Sequence, residues 1–275
     1  MKVFFRDDMS VDSGSYSPSA EKPAQAIADW KERQLGIELV PFEPATIEDL
    51  ALAHNRKFAQ DVLSGKRRNG HGNTTKEVTE SCLKTVGSLI AACRAAFTER
   101  IVCSPTSGFH HAGYAYNGAF CTFNGLVVAA RKMIAEGRCS KVAVLDCDAH
   151  YGDGTDDCIQ QLKLQDQIEH WTFGEHYRGA DFDQRQFVAQ VRFFLREAVE
   201  SGVQLLIYQA GADPHINDPL GGTMTTKQMR QRDRVVFAEC VKLGLPVAWN
   251  FAGGYQRDQH GRIDAVLELH RATAE

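Results

Sequence analysis

Short apolar segments alternate with longer amphipathic segments along most of the chain. Segments 142–145 (VAVL) and 205–208 (LLIY) are apolar at every position, which is typical of strands buried on both faces of a sheet. The segments between such strands repeat apolar residues every three or four positions, which predicts helices that each turn one face toward the sheet. Because a helix separates most strands from the next, the pattern predicts an α/β fold with a mainly parallel sheet flanked by helices on both faces.

The same pattern gives approximate bounds for each element. The predicted strands span 3–5, 37–40, 101–104, 141–146, 170–173, 204–209 and 246–251. The predicted helices span 20–35, 47–63, 76–97, 122–136, 155–164, 184–201 and 225–243, and a closing helix begins at 263. Segment 65–73 (GKRRNGHGN) is rich in glycine and charge, which predicts a loop. No long linker divides the chain, so we expect residues 1–275 to form a single domain.

Composition and charge exclude several classes of protein. The 275 residues are 43% hydrophobic and 24% charged, with a mean hydropathy of −0.32, as in ordinary globular proteins. Lys and Arg total 31 against 35 Asp and Glu, and no long basic segment is present, so a direct nucleic-acid partner is not expected. No window approaches the ~18 consecutive apolar residues of a membrane span, and the apolar run 3–5 is too short for a signal peptide. We therefore expect a cytoplasmic protein without a membrane partner.

The eight cysteines lie mostly within apolar helix or strand patterns and include no Cys-x-x-Cys pair. In a chain without a secretion signal, such cysteines are typically buried and reduced. The sequence therefore predicts neither disulfides nor a zinc–thiolate site.

Ionisable side chains follow four of the predicted strands. In an open parallel sheet, ligands bind beyond the carboxyl ends of the strands, where loops from several strands converge. The sequence therefore predicts a site at this edge. The four segments are PTSGFHHAG with His110 and His111, DCDAHYGDG with Asp146, Asp148, His150 and Asp153, AGADPHINDPLGG with Asp213, and FAGGY with Gly254 and Tyr255.

The alternation Asp146-Cys147-Asp148-Ala149-His150 indicates a cation site. In extended backbone, residues two apart point to the same side, which brings the two carboxylates and the imidazole together. A divalent cation is the natural partner for such a group, with Asp213 as a further ligand from another strand. Nitrogen and oxygen ligands favour zinc or another first-row ion. The alternative is that one aspartate caps the following helix and another stabilises the turn at 152–154.

The histidine pair and Tyr255 are candidates for proton transfer and oxyanion binding. A carboxylate that binds one imidazole nitrogen leaves the other free to take or give a proton, and Asp146 and Asp153 are available for this role. Tyr255 follows two glycines that allow a tight turn, and a phenol beside a cation stabilises an oxyanion. The alternatives are histidines with a structural role and a core tyrosine with a solvated hydroxyl.

The four segments together resemble a known family. SGFHHAGYAYNGAFCTFNGLVVAA, VAVLDCDAHYGDGT, QAGADPHINDPLGG and FAGGY are similar, in order and spacing, to the zinc-dependent histone deacetylase family, which includes acetylpolyamine amidohydrolases. The similarity spans about residues 101–255. It implies a three-layer sandwich of the arginase/deacetylase type forming one catalytic domain. It also implies metal-dependent removal of acetyl, or another short acyl group, from acetyl-lysine, an acetylated polyamine or another small acylated amine.

The resemblance also implies a role for each candidate residue. The metal ligands are Asp148, His150 and Asp213, and the ion is Zn²⁺, Fe²⁺ or another divalent cation. His111 acts as general base and then general acid, His110 is its electrostatic partner, and Tyr255 polarises the scissile carbonyl. Asp146 and Asp153 are implied to hydrogen-bond the two histidines. A structural K⁺ site is implied at Asp146 and the carbonyls of Asp148 and His150. Substrate contact is implied for Phe120, as an aromatic channel wall, and for Gly254.

Three departures from the family pattern bear on substrate shape. Phe109 replaces a glycine before the histidine pair and is expected to narrow the site. Tyr151 replaces a histidine, and segment 174–183 is shorter than the family's loop, which predicts a more open channel wall. Two rival functions remain at this point, an arginase-like ureohydrolase with two metals and a binding protein that has kept the fold without catalysis.

Overall fold

Seven parallel strands form one sheet in the computed structural model, which describes residues 1–177 and 182–275. The sheet order is β2-β1-β3-β7-β6-β4-β5, and every strand pair within it is parallel. The predicted parallel α/β fold is therefore confirmed. The strands are β1 Lys2–Phe4, β2 Glu38–Val40, β3 Ile101–Ser104, β4 Val142–Asp146, β5 Ile168–Thr172, β6 Leu205–Gln209 and β7 Val247–Asn250.

Helices cover both faces of the sheet. Successive side chains of β3 and β7 point to opposite faces, so both faces need a covering layer. On one face Trp249 packs against Trp30 and Phe237, and on the other Ser88 binds Ser104 at 2.7 Å. The helices are α1 Lys22–Glu32, α2 Ile47–Leu50, α3 Arg56–Leu63, α4 Lys76–Glu99, α5 Gly125–Ala135, α6 Asp153–Gln161, α7 Phe173–His176, α8 Gln184–Glu200, α9 Thr226–Leu243 and α10 Asp264–Ala274.

One predicted helix, 47–63, is wrong, because the segment forms the two helices α2 and α3. The break follows from tertiary contacts of His54, which is buried between the loop after β3 and the start of α5. Its Nδ1 lies 2.9 Å from the carbonyl of Gly113, and its Nε2 accepts from the backbone N–H of Asn124 at 2.8 Å. Asn55 then caps α3 by accepting from the N–H of Phe58. These long-range hydrogen bonds outweigh the local helical pattern.

The eight cysteines of the sequence are buried and unpaired, as predicted. Burial raises the pKa of Cys82 and Cys139 to about 11 and that of Cys240 to about 12. Thiolates are the reactive form, so we expect almost no reaction of the native protein with a disulfide reagent such as DTNB and complete reaction after denaturation. Several fast-reacting thiols in the native protein would contradict this packing.

No helix among residues 1–177 and 182–275 is both long and apolar enough to cross a membrane.

Candidate functional site

The carboxyl ends of β3, β7, β6 and β4 are neighbours in the sheet, which brings the four candidate segments together. His110 and His111 follow β3, Asp148 and His150 follow β4, and Asp213 follows β6. Tyr255 follows β7, the strand between β3 and β6. The predicted convergence at one edge of the sheet is therefore observed.

Asp148, His150 and Asp213 form a compact group whose ligand atoms all lie within 4.8 Å of one another. The Nδ1 atom of His150 lies 2.9 Å from Asp148 Oδ1 and 3.0 Å from Asp213 Oδ2. Both carboxylates are buried, and the backbone N–H of Gly253 donates to Asp148 Oδ2 at 2.7 Å. A Cβ atom at position 253 would lie 2.6 Å from an oxygen of each carboxylate, so glycine is required there.

The electrostatics of this group favour a bound cation. Burial and the neighbouring Asp148 carboxylate raise the pKa of Asp213, because a second negative charge is disfavoured there. The neighbouring Asp148 and Asp213 carboxylates raise the pKa of His150 to about 11. Asp213 Oδ2 receives no well-directed hydrogen bond from the residues that the structure describes. Two carboxylates and an imidazole, with one oxygen still available, fit the ligand chemistry of zinc and other divalent first-row ions.

Each histidine of the pair is held by its own carboxylate. His110 Nδ1 lies 2.7 Å from Asp146 Oδ2, and His111 Nδ1 lies 2.5 Å from Asp153 Oδ1. The two imidazole rings are 4.1 Å apart. Burial opposes the charged form of His110, but Asp146 and other carboxylates outweigh it and raise its pKa to about 9. With Nδ1 bound in both rings, Nε2 is the nitrogen left for proton transfer.

Asp146 lies beside the group of three candidate ligands rather than within it. Its Oδ1 accepts from the N–H of Asp148 at 3.0 Å and from Gln209 Nε2 at 2.8 Å, while Oδ2 faces His110. The carboxylate is therefore fully used in orienting its neighbours. The alternation that indicated one shared cation therefore divides into Asp146, which orients its neighbours, and the other two residues, which stay candidate ligands.

A strained turn carries Tyr255 to the site. Ala252 has φ of 52° and Gly254 has φ of 146°, both in the region that favours glycine. The N–H of Tyr255 donates to Asp218 Oδ2 at 2.7 Å, which fixes the exit from the turn. Burial, together with Asp148 and Asp213, raises the pKa of the Tyr255 phenol well above its usual value. The hydroxyl is therefore a donor at neutral pH, and its ring lies 6.4 Å from that of His150.

An open cleft of about 560 Å³ leads to the group of candidate ligands at His150. The ring of Phe120 lies 5.8 Å from that of Tyr255, but Phe120 lines a separate, smaller cavity, so its role as an aromatic channel wall stays a prediction. Gly254, predicted to contact substrate, is buried in the turn before Tyr255, where an added Cβ atom would meet Val266 and Ala212. The lining of the cleft is His111, Ala149, His150, Tyr151, Asp153, Tyr177, Leu220, Gly221 and Thr223.

Two of the three departures from the family pattern have a structural explanation. The expectation that Phe109 narrows the site is wrong, because its ring is 1% exposed and fills the space above Gly125. A Cβ atom at position 125 would lie 2.6 Å from that ring, so the aromatic residue and the glycine fit each other. Tyr151 lines the cleft and donates its hydroxyl hydrogen bond to Asp156. The prediction of a shortened wall at 174–183 falls partly on residues 178–181, which lie outside the described residues.

Sequence reasoning missed three residues that support the site. Tyr177 forms part of the cleft wall, and its hydroxyl donates to Gln190 at 2.7 Å. Lys22 and Arg232 are fully buried cations behind the site, and Lys22 Nζ donates to the carbonyl of Ala252 at 2.7 Å. Both occupy the apolar stripe of their helix, with Ala26 and Met229 as neighbours one turn away. A charged residue on such a stripe is the sequence signal that identifies them.

Comparisons with known proteins place the sequence of this chain in a family. The histone deacetylase domain model matches residues 18–173. An uncharacterised protein of Picosynechococcus is 28% identical over 236 residues, covering 78% of this chain and 77% of that protein. Histone deacetylase 2 of Arabidopsis thaliana is 28% identical over 68% of this chain, and acetylpolyamine amidohydrolase 2 of Pseudomonas aeruginosa is 34% identical over 61%. The matches span only 53% and 54% of the length of those two enzymes.

Solved structures agree on the fold. The HDA15 HD domain superposes with a TM-score of 0.78 at 19% identity, covering 99% of this chain and 86% of that one. An acetylpolyamine aminohydrolase from Burkholderia pseudomallei gives a TM-score of 0.76 at 16% identity, covering 99% and 97%. Since the domain model matches more than half of the residues, the chain belongs to the histone deacetylase family.

Proposed function

We propose that this protein is a metal-dependent amide hydrolase, formed by residues 1–275, that removes an acetyl or another short acyl group from an amine. The observation that carries the proposal is the juxtaposition of the Asp148–His150–Asp213 group with the paired histidines and Tyr255. The His111 and Tyr255 rings lie 5.9 and 6.4 Å from the His150 ring, and the His110 ring lies 4.1 Å from that of His111. A protein that only binds its ligand has no need of two carboxylate-held imidazoles and a protonated phenol at the same point.

Asp148, His150 and Asp213 would hold the divalent ion, which supplies Lewis acidity at the acyl carbonyl and lowers the pKa of attacking water. His111, oriented through Nδ1 by Asp153, takes a proton from that water at Nε2. As the C–N bond breaks, His111 returns the proton to the leaving amine, and the products are a carboxylate and a free amine. The ring of His110 lies 4.1 Å from that of His111. Asp146 binds His110 at Nδ1, and this pair stabilises the charge on His111 during the proton transfers.

Tyr255 acts at the carbonyl oxygen of the substrate. Its hydroxyl keeps its proton because burial and two carboxylates raise the pKa of the phenol. It donates a hydrogen bond to the negative charge that develops on the carbonyl oxygen during attack. The turn at 252–255 holds the ring in place through the contact with Asp218.

The substrate is an acylated amine such as acetyl-lysine, an acetylated polyamine or a small acylated metabolite. The charge of the cleft favours a substrate that carries an amine. Asp153 lines the cleft, and in the described part of the chain no Lys or Arg is among its lining residues. We also propose a structural K⁺ ion near Asp146 and the carbonyls of Asp148 and His150. The support for this ion is the match of the chain to the histone deacetylase domain model.

Acetate release by the zinc-loaded protein tests the proposal. The substrate panel contains an acetyl-lysine peptide, acetylated polyamines and small acetylated metabolites, each with and without a chelator. We expect chelator-sensitive release from at least one substrate. Release of urea from arginine with two bound metals would indicate the ureohydrolase instead, and binding without any turnover would indicate a non-catalytic protein.

Replacing Tyr255 by phenylalanine is expected to lower turnover by about 100- to 1,000-fold, because one oxyanion donor is lost. Metal content should not change, since Tyr255 is not in the group of ligands. The matched control is Tyr16→Phe at a tyrosine that is 57% exposed. Steady-state kinetics with elemental analysis measures both quantities, and unchanged turnover in Tyr255→Phe would remove the tyrosine from the mechanism.

A further inference from the structure

Arg232 is a fully buried cation on α9, behind the group of metal ligands. Its side chain is 1% exposed, and a buried guanidinium is costly unless its donors are satisfied. Nη1 donates to the carbonyl of Gly211 at 2.6 Å and to the carbonyl of Cys147 at 3.2 Å. Nε donates to Asp233 Oδ1 at 2.8 Å. One guanidinium nitrogen therefore joins two segments that are distant in sequence.

These two carbonyls belong to the segments that carry the acidic ligands. Cys147 directly precedes Asp148, and Gly211 precedes Asp213 by two positions. The segments are in close contact, since a Cβ atom on Gly211 would lie 2.8 Å from the Cα atom of Asp148. A shift of either carbonyl therefore moves a carboxylate of the candidate metal site.

Direct pairing between β4 and β6 ends before the two acidic residues. The last hydrogen bond between the two strands in this region runs from the N–H of Cys147 to the carbonyl of Gln209, before either acidic ligand. Beyond it, the N–H of Ala149 makes only a 3.2 Å contact with Asp213 Oδ1. The two carboxylates also repel each other, which favours separation of the segments. Gly253 accepts from the N–H of Ala212 at 2.8 Å and donates to Asp148 Oδ2 at 2.7 Å, and Arg232 adds the contact that reaches a backbone carbonyl of each segment.

A second set of contacts fixes Arg232 in place. Asp233 pairs with Arg232 and also accepts hydrogen bonds from the hydroxyls of Tyr208 and Thr273, the latter at 2.7 Å. Tyr208 lies in the middle of the sheet and Thr273 lies on α10, so the pair is held from two elements. The guanidinium is thus oriented before any ion binds, which is the property expected of a residue that positions metal ligands.

We propose that Arg232 is a positioning residue that sets the spacing of Asp148 and Asp213 and thereby the affinity of the site for a divalent cation. The inference rests on the proposed metal site but not on the identity of the substrate. It assigns Arg232 no contact with the substrate or the ion. Lysine cannot replace the guanidinium, because a single ammonium lacks the planar set of donors that reaches two carbonyls and Asp233 together.

The test measures the Kd for Zn²⁺ by competition with a chromophoric chelator. Arg232→Lys keeps the positive charge but loses the planar donors. The double variant Arg232→Met/Asp233→Asn removes both charges of the ion pair, and it provides the test if Arg232→Lys does not fold. Arg234→Lys, at an exposed arginine on the same helix, is the control. We expect about 10- to 100-fold weaker zinc binding in the folded Arg232 variants and no change in the control.

Urea unfolding of the metal-free proteins separates positioning from a purely structural role. A structural role predicts a lower unfolding midpoint with unchanged zinc affinity in the folded fraction, and that result would overturn the proposal. Acetate release is measured in parallel. Zinc binding by the wild type without acetate release would refute the proposed function while the Kd values still decide the role of Arg232, whereas absence of zinc binding by the wild type would overturn both.

Discussion

Replacing Asp213 by alanine is expected to abolish tight binding of a divalent cation and, with it, hydrolysis. The variant removes one of the two carboxylates of the ligand group, and its oxygen lies 3.0 Å from His150 Nδ1. The fold should survive, because burial and the Asp148 carboxylate already disfavour the charge on Asp213. We therefore expect a metal-free unfolding midpoint equal to or higher than that of the wild type, a combination that general damage to the fold does not produce.

Elemental analysis and urea unfolding of Asp213→Ala provide the two measurements. Asp166→Ala, at an exposed aspartate in the loop before β5, is the matched control and should retain its metal. Stoichiometric metal in Asp213→Ala would contradict the assignment of this residue as a ligand. If the metal-free variant unfolds at a lower urea concentration than the metal-free wild type and also lacks metal, the Asp213 carboxylate has a structural role rather than a role as a ligand.

Replacing His111 by alanine is expected to lower turnover by about 100- to 10,000-fold, the usual contribution of a general base. Metal content should remain, since His111 is bound to Asp153 and lies outside the ligand group. Because the same imidazole serves as base and acid, the loss should appear in kcat more than in KM. His260→Ala, at an exposed histidine, should leave both constants unchanged.

Kinetics of Asp153→Asn give an independent check on the role of His111. The variant keeps a hydrogen-bonding partner at Nδ1 but removes its charge, so an intermediate loss of turnover is expected. Full activity of His111→Ala with bound metal would remove the histidine from the mechanism, whatever the result at Asp153.

Sequence patterns are sufficient to predict the sheet because its central strands are apolar on both faces. The predicted 101–104 coincides with β3, and the other predicted strands agree with the observed ones within two residues at each end. The site is predictable for a related reason, since the order of a parallel sheet brings the ends of β3, β7, β6 and β4 together. Ionisable residues that directly follow those strands are therefore recognisable as site candidates from their positions in the sequence.

Features that depend on long-range contacts are not predictable in this way. The break at His54 arises from hydrogen bonds to Gly113 and Asn124, 59 and 70 positions away. The packing of Phe109 on Gly125 likewise joins two segments that no local pattern links. Local sequence states which residues are apolar or ionisable, but it does not state which partner occupies the space beside them.

X-ray diffraction at the zinc absorption edge tests the central claim most directly. Crystals of the zinc-loaded wild type should give an anomalous peak within coordination distance of Asp148, His150 and Asp213, and the peak should be absent in Asp213→Ala. A zinc-loaded crystal with no peak at this group, or with its peak elsewhere in the molecule, would contradict the account.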